Sequence, residues 1–335
     1  MFRFKFIFAF LVLVITFNSY SESRWYSVIF TTPGNIENER SVVEYFCKVI
    51  KSSKRNIDAA FFKIDSPDVI EAFIGQAAKG VRVRIVTDDG QTSSKTIDYL
   101  KANGVSVESD GRSSFMHNKF MIIDSTYVWT GSLNVTNNGF SKNNNNSILI
   151  KSNDLAKIYS YEFREMYEYG VYQNRKEQKF FKLPDNRYYV KIGDTNINCY
   201  FSPDNDIERI LLKRILKAKK SVVFMAFSFT SEAIGDALVT VHKKGIKVSG
   251  IFEKRGTGSK HSEYSKLNSA GIRVIKDSNP AVMHHKVIII DGETVITGSY
   301  NFSKNAAKRN DENVIIIKNR QIAEEYLKEF IRLYK

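Results

Sequence analysis

The chain has 335 residues, 43% of them hydrophobic, and 50 Lys and Arg against 36 Asp and Glu give it a formal charge of +14. That length holds two domains that each bury a core. Beyond the first 21 residues no segment approaches the roughly 20 apolar residues of a membrane-spanning helix, which excludes a chain built of such helices. So basic a chain is drawn to polyanions, either nucleic acid or an anionic membrane surface, and charge alone does not choose between them.

Met1 to Ser21 read as a secretory signal, with Arg3 and Lys5 ahead of an apolar run from Phe6 to Phe17 and small residues at Ser19-Tyr20-Ser21 for cleavage. An uncleaved anchor is the alternative. Either way the body is expected to be exported, to the periplasm or the medium, and without Arg3 and Lys5 it carries +12. In the first half, residues 22–169, periodicity predicts helices over 38–51, 67–79 with Ser66 as N-cap, 92–102 and 154–169. Strands are predicted over 57–62, 81–86, 105–108, 120–123, 127–129 and 148–150. The second half, residues 199–335, repeats the order: helices over 207–218, 232–244, 262–270 and 320–334, and strands over 222–229, 248–252 and 273–275. Strands alternating with helices argue for α/β domains with mixed sheets.

Residues 170–198 form a polar, basic stretch in which Lys176, Lys179, Lys182, Arg187 and Lys191 mix with Phe180, Phe181, Tyr188 and Tyr189. It is read as a linker whose aromatics pack on the domain beneath, with a single-strand binding surface as the alternative. Cys47 and Cys199 are read as buried free thiols, although an oxidising compartment would allow a disulfide. The basic loop 253–261 is expected to bring Lys254, Arg255 and Lys260 to a ligand.

The most specific signal is a repeat. His117-Asn118-Lys119 ends five residues later in Asp124, and His284-His285-Lys286 ends in Asp291, 167 positions on, in a chain with only five histidines. Gly131-Ser132-Leu133-Asn134 follows the first copy and Gly298-Ser299-Tyr300-Asn301 the second. Lys79-Gly80-Val81 and Lys244-Gly245-Ile246 repeat upstream at an offset of 165. So long a period is a duplicated domain. Residues two apart on a strand share a face, so each His lies beside its Lys. The ammonium suits a phosphate's oxygens, and the imidazole can attack phosphorus or give up a proton. Two facing sets can supply both a nucleophile and a general acid. Ser132, Asn134, Ser299 and Asn301 are the expected phosphate contacts. Asp124 and Asp291 are carried in the catalytic set as members of the motif, although their place at a strand end favours a turn or packing carboxylate over a catalyst.

These residues resemble the phospholipase D superfamily, whose signature is H-x-K-x4-D followed by G-S-x-N, and the likeness spans nearly the whole chain after residue 21. It implies two similar α/β halves, each a mixed sheet flanked by helices, with the active site at their interface and a phosphohistidine intermediate. It implies no metal or other cofactor, and the sequence offers no competing cluster with ligand spacing. The family sets an acidic or amide residue behind each histidine; here Glu312 and Asn145 stand in those places. If pairing crosses between halves Glu312 backs His117, which is then the nucleophile; if not, the roles swap. Nucleic acid is the favoured substrate. A phospholipase D acting on head groups is the alternative, with peripheral membrane contact, and phosphatidyl transfer of the cardiolipin-synthase type is less favoured. A binding module that kept an inactive fold is weighed against all of these, and the intact His and Lys pairs speak against it. Both motifs in one chain make a monomer sufficient.

Overall fold

Alternating apolar runs and amphipathic helices build one unit twice in the computed structural model, which describes residues 24–172 and 188–335. The first unit runs β1 (Tyr26–Phe30), α1 (Ile36–Lys51), β2 (Asn56–Phe61), α2 (Pro67–Ala77), β3 (Arg82–Thr87), α3 (Ser94–Ala102), β4 (Ser106–Ser109), β5 (Lys119–Ile123), β6 (Tyr127–Gly131), α4 (Asn137–Ser141), β7 (Asn143–Asn144), β8 (Asn146–Lys151) and α5 (Asn153–Tyr169). The second runs β9 (Tyr189–Ile192), β10 (Thr195–Ser202), α6 (Ile207–Ile215), β11 (Ser221–Ala226), α7 (Glu232–Lys243), β12 (Lys247–Phe252), α8 (Tyr264–Ser269), β13 (Arg273–Lys276), β14 (Val282–Met283), β15 (Lys286–Ile290), β16 (Thr294–Gly298), α9 (Lys304–Lys308), β17 (Glu312–Lys318) and α10 (Arg320–Leu333).

The strand order is β1-β8-β6-β5-β2-β3-β4 in one sheet and β13-β12-β11-β15-β16-β17-β10-β9 in the other. In each, a parallel strand–helix–strand pair, β2 with β3 and β11 with β12, is extended by the antiparallel strand that carries the motif, β5 or β15. Helix starts follow local chemistry. Asn35, Ser93, Ser152, Ser231 and Asn319 each accept a backbone N–H of the first turn. Ser66 holds the expected N-cap position without a side-chain bond, ahead of Pro67 in the first turn.

Each sheet has two faces and each face a core. Ile57, Ala59, Phe61, Met121 and Ile123 pack outward against α1 and α2, through Val42, Phe46, Ile50, Val69 and Phe73. Phe224, Val248 and Ile288 do the same beneath α6 and α7. The inner faces meet: Phe120, Ile122, Met225, Val287 and Ile315 share one core with Tyr159 and Phe163 of α5 and Tyr326 and Phe330 of α10. Each such side chain removed from water contributes about 1.5–3 kcal/mol, so this shared core fastens the halves together.

Some expectations change. Tyr189–Ile192 and Thr195–Asn198 are not linker but strand, pairing with each other and with β17. Val190, Ile197, Cys199 and Phe201 alternate into the shared core, a period-2 pattern masked by the flanking charges. β1 also went unseen in the sequence; it lies antiparallel on β8. Cys47 and Cys199 are free and buried in different cores, as their apolar settings suggest. The signal segment and Lys176, Lys179, Phe180, Phe181, Lys182 and Arg187 lie outside the described residues.

Candidate active site

Strand pairing brings the motifs to one place. Lys119 lies opposite Phe61 at the end of β2, and Lys286 opposite Ala226 at the end of β11. Backbone bonds then cross between the halves with the same pattern twice: His117 N–H donates to Asp311 O and His284 N–H to Asn144 O, each at 2.9 Å. Asp311 and Asn144 immediately precede Glu312 and Asn145. The crossing therefore sets each histidine against the other half's backing residue.

His117 Nδ1 lies 2.7 Å from Glu312 Oε2, and His284 Nδ1 lies 2.9 Å from Asn145 Oδ1. Asn145 donates its Nδ2 to Gly139 O at 2.9 Å, so its oxygen faces the ring and must accept. Both neutral imidazoles thus carry the proton on Nδ1 and keep a lone pair on Nε2. Lys119 and Lys286 turn back to the carbonyls of His117 and His284, at 2.8 and 2.9 Å. Their ammoniums also sit 4.8 and 4.7 Å from the rings of Phe62 and Phe227. These two aromatics, missed from sequence, pack edge-on to His117 and His284 at 4.6 and 4.7 Å. They share the 165-residue offset of the upstream repeat, which is the signal that would have found them.

The site is nearly closed to water: His117 is 6% exposed, His284 7%, Lys119 1% and Lys286 2%. Burial and the two neighbouring ammoniums hold both imidazoles well below the usual range, so they are neutral. Burial also pulls Lys119 down to about 7, against the pull of Glu312 and Asp88, and pushes Lys286 well below its ordinary value. It raises the Glu312 carboxyl, which the Lys119 ammonium, Ser299 and Asn310 pull back. Two crowded, desolvated amines that a bound anion would hold protonated and two neutral nucleophilic nitrogens form a pocket complementary to an anion that can be attacked.

Ser132 and Ser299 do not reach a phosphate position. Both are fully buried, and their hydroxyls donate to Asn145 Oδ1 at 2.9 Å and Glu312 Oε2 at 2.6 Å, fixing the groups behind the histidines. Asp124 and Asp291 are also corrected. Each sits at the far end of its strand at positive φ, 51° and 56°. Asp124 accepts the backbone N–H of Lys54, Arg55 and Asn56 at 2.7–3.0 Å, and Asp291 those of Lys219, Lys220 and Ser221 at 2.7–3.0 Å. They clamp the entry of β2 and β11, seven residues or roughly 23 Å of extended chain away from the histidines. Asn134 and Asn301 are half-buried at the cleft end; their unpartnered amide oxygens are themselves buried and can only accept, so toward a phosphate it is their amide N–H groups that would donate. Gly131 and Gly298 explain the motif's glycines. At φ 148° and 145°, a Cβ would lie 2.3 Å from Asn146 O and 2.2 Å from Asn313 O, on the strands that follow the backing residues. Of the basic loop, Arg255 donates to Pro280 O at 3.0 Å in the segment leading to His284, while Lys254 and Lys260 are exposed beyond the end of β12.

A family model described as "Cardiolipin synthase, PLD-like domain" matches residues 46–167 and again 211–334. A phospholipase D of Rickettsia typhi is 36% identical over 154 residues, 45% of this chain and 76% of that protein. A mitochondrial cardiolipin hydrolase of Xenopus tropicalis is 33% identical over 132 residues, 39% and 62% of the two chains. The crystal structure of phosphatidylserine synthase from Haemophilus influenzae shares the fold across 91% of this chain and 86% of its own, with a TM-score of 0.67 at 12% identity. With both halves matched separately, the chain belongs to the phospholipase D superfamily and is a phosphodiester hydrolase.

Proposed function

We propose that the protein is an exported phosphodiesterase that cleaves nucleic acid through a covalent phosphohistidine, using side chains alone. His117 Nε2 attacks phosphorus while Glu312 takes up the positive charge that grows on the ring through Nδ1–H. The bond from phosphorus to the leaving sugar oxygen breaks with its electron pair, and that oxygen takes a proton from Nε2–H of His284. This imidazole is neutral in the free site and is protonated from solvent once the substrate's negative charge offsets the neighbouring ammoniums. Water then attacks phosphorus and yields its proton to His284. The P–N bond breaks, and its pair returns to His117. Lys119, Lys286, Asn134 and Asn301 meet the non-bridging oxygens, and the substrate's negative charge restores the lysines' protons.

The observation that carries the nucleic acid reading is Phe115. It is 42% exposed, with its ring 5.2 Å from Phe62 and 6.4 Å from His117. One open aromatic ring beside the histidine offers a base a stacking face next to the reacting phosphate. Phospholipid is the second reading, favoured by what the Rickettsia typhi and Xenopus tropicalis relatives are named for. The test is product formation by protein lacking residues 1–21, in EDTA, on single-stranded DNA, duplex DNA, RNA and phosphatidylcholine or phosphatidylglycerol vesicles. Nucleic acid cleavage that vanishes in both His117→Ala and His284→Ala is expected. Head-group release with nucleic acid untouched would establish the second reading instead.

A further inference from the structure

The end of the second sheet that lies away from the histidines carries a concentration of cations that the cleft does not use. α6 runs into Lys213, Arg214, Lys217, Lys219 and Lys220, and α7 into Lys243, Lys244 and Lys247, all exposed. Register places them together. Ser221 pairs with Lys247, and Lys247 N–H donates to Lys220 O at 3.1 Å, so the two loops lie side by side where β11 and β12 begin. Among the described residues none of the eight joins an ion pair. Arg214 meets only the amide oxygen of Asn198, at 3.2 Å, and Asp291, the carboxylate beneath, is engaged by the backbone of Lys219, Lys220 and Ser221. Leu216 stands among them, 47% exposed.

We infer that this face docks on an anionic bilayer. Three observations favour lipid over nucleic acid. The patch is separated from Lys286 by the length of β11, roughly 20 Å at 3.3 Å per residue, so a strand bound there is not the segment being cut. Neither 213–220 nor 243–247 contains an aromatic residue on which a base could stack. Seven of the eight cations are lysines, point charges suited to mobile headgroups rather than the forked recognition arginine gives phosphodiesters, and the exposed apolar side chain is aliphatic. Docked this way, the cleft opens away from the membrane.

The test is sedimentation of protein lacking residues 1–21 with phosphatidylglycerol–phosphatidylcholine vesicles and with phosphatidylcholine alone. It is run in a His117→Ala background, so that binding is read without turnover and independently of what the cleft cleaves. Each lysine near an anionic surface contributes roughly fivefold. K213Q/K217Q/K219Q/K220Q should therefore weaken partition onto the anionic vesicles by roughly 600-fold, whereas K95Q/K151Q/K157Q/K328Q, four exposed lysines elsewhere, should change it severalfold at most. Leu216→Glu alone should also weaken it, and phosphatidylcholine should bind none of them. Full binding by the first quadruple variant, or equal loss in the second, overturns the proposal. So does loss of single-stranded DNA binding with vesicle binding intact, which would make the patch a nucleic-acid surface. Thermal unfolding of the variants separates lost binding from lost fold.

Discussion

Glu312 gives His117 a counter-charge that Asn145 cannot give His284. As the P–N bond forms the His117 ring becomes cationic, and a carboxylate 2.7 Å from Nδ1 stabilises that charge where an amide only orients. His284 has the opposite task. A neutral amide leaves its imidazolium a stronger acid than a carboxylate would, which suits proton donation to a leaving oxygen. Glu312→Gln should therefore lower kcat by roughly 10²–10⁴-fold with little change in KM. Asn145→Asp should raise the pKa of His284, keep the acid form to higher pH, and move the alkaline limb of the kcat/KM profile upward by about one unit. If the roles were reversed, His284 would have to be deprotonated to act, and Asn145→Asp would move the acid limb instead. Steady-state kinetics across pH on one soluble substrate reads both variants.

At the scale of elements, the Asp of each motif serves the strand rather than the chemistry. Burial pushes the Asp124 and Asp291 carboxyls up, but the bonds from three backbone N–H groups outweigh it and hold both below the ordinary carboxylate range. A depressed pKa contributes stability that is present above the unfolded value near 4 and is lost as pH falls through the folded value. Asp124→Ala and Asp291→Ala should each cost about 1–3 kcal/mol at pH 7 and converge on the parent in strong acid, as read by urea unfolding at several pH values. Activity per folded molecule should stay within a few-fold. This division was only half legible in the sequence. Histidine and lysine two apart on a strand announce a shared face, but a carboxylate five residues on announces only a strand end. Its N–H partners, 54–56 and 219–221, come from a turn about 70 residues earlier. Ser132 and Ser299 were misjudged for the same reason, since their acceptors lie 13 residues on, across a strand pairing that local pattern does not reveal. Residues 189–198 read as linker because charges interrupt an alternation that only the finished sheet makes plain.

For the whole molecule, neither half holds a complete site. His117 needs Glu312 and His284 needs Asn145, and the sheets that carry them share one core through α5 and α10. Polar bonds reinforce that seam: Asn313 Nδ2 donates to Thr130 Oγ1 at 2.6 Å and Thr297 Oγ1 to Asn146 Oδ1 at 2.7 Å, each spanning the two halves. Backbone pairing of β7 with β14 adds another link. Covalent continuity between the halves contributes little beside such an interface, since linking mainly raises the local concentration of one half around the other. A protease site inserted between residues 173 and 187 and then cut should leave the fragments co-eluting on a sizing column, with most of the activity. Each fragment expressed alone should be inactive and poorly soluble, because the inner face of its sheet is left uncovered. Fragments that separate after cutting yet stay folded would show that the shared core is weaker than its burial indicates. Activity in a lone fragment that pairs with a second copy of itself would show that the cross-half partners are interchangeable. That outcome is opposed by the Glu312 and Asn145 difference: two copies of the first half would put Asn145 behind both histidines and leave neither nucleophile a counter-charge.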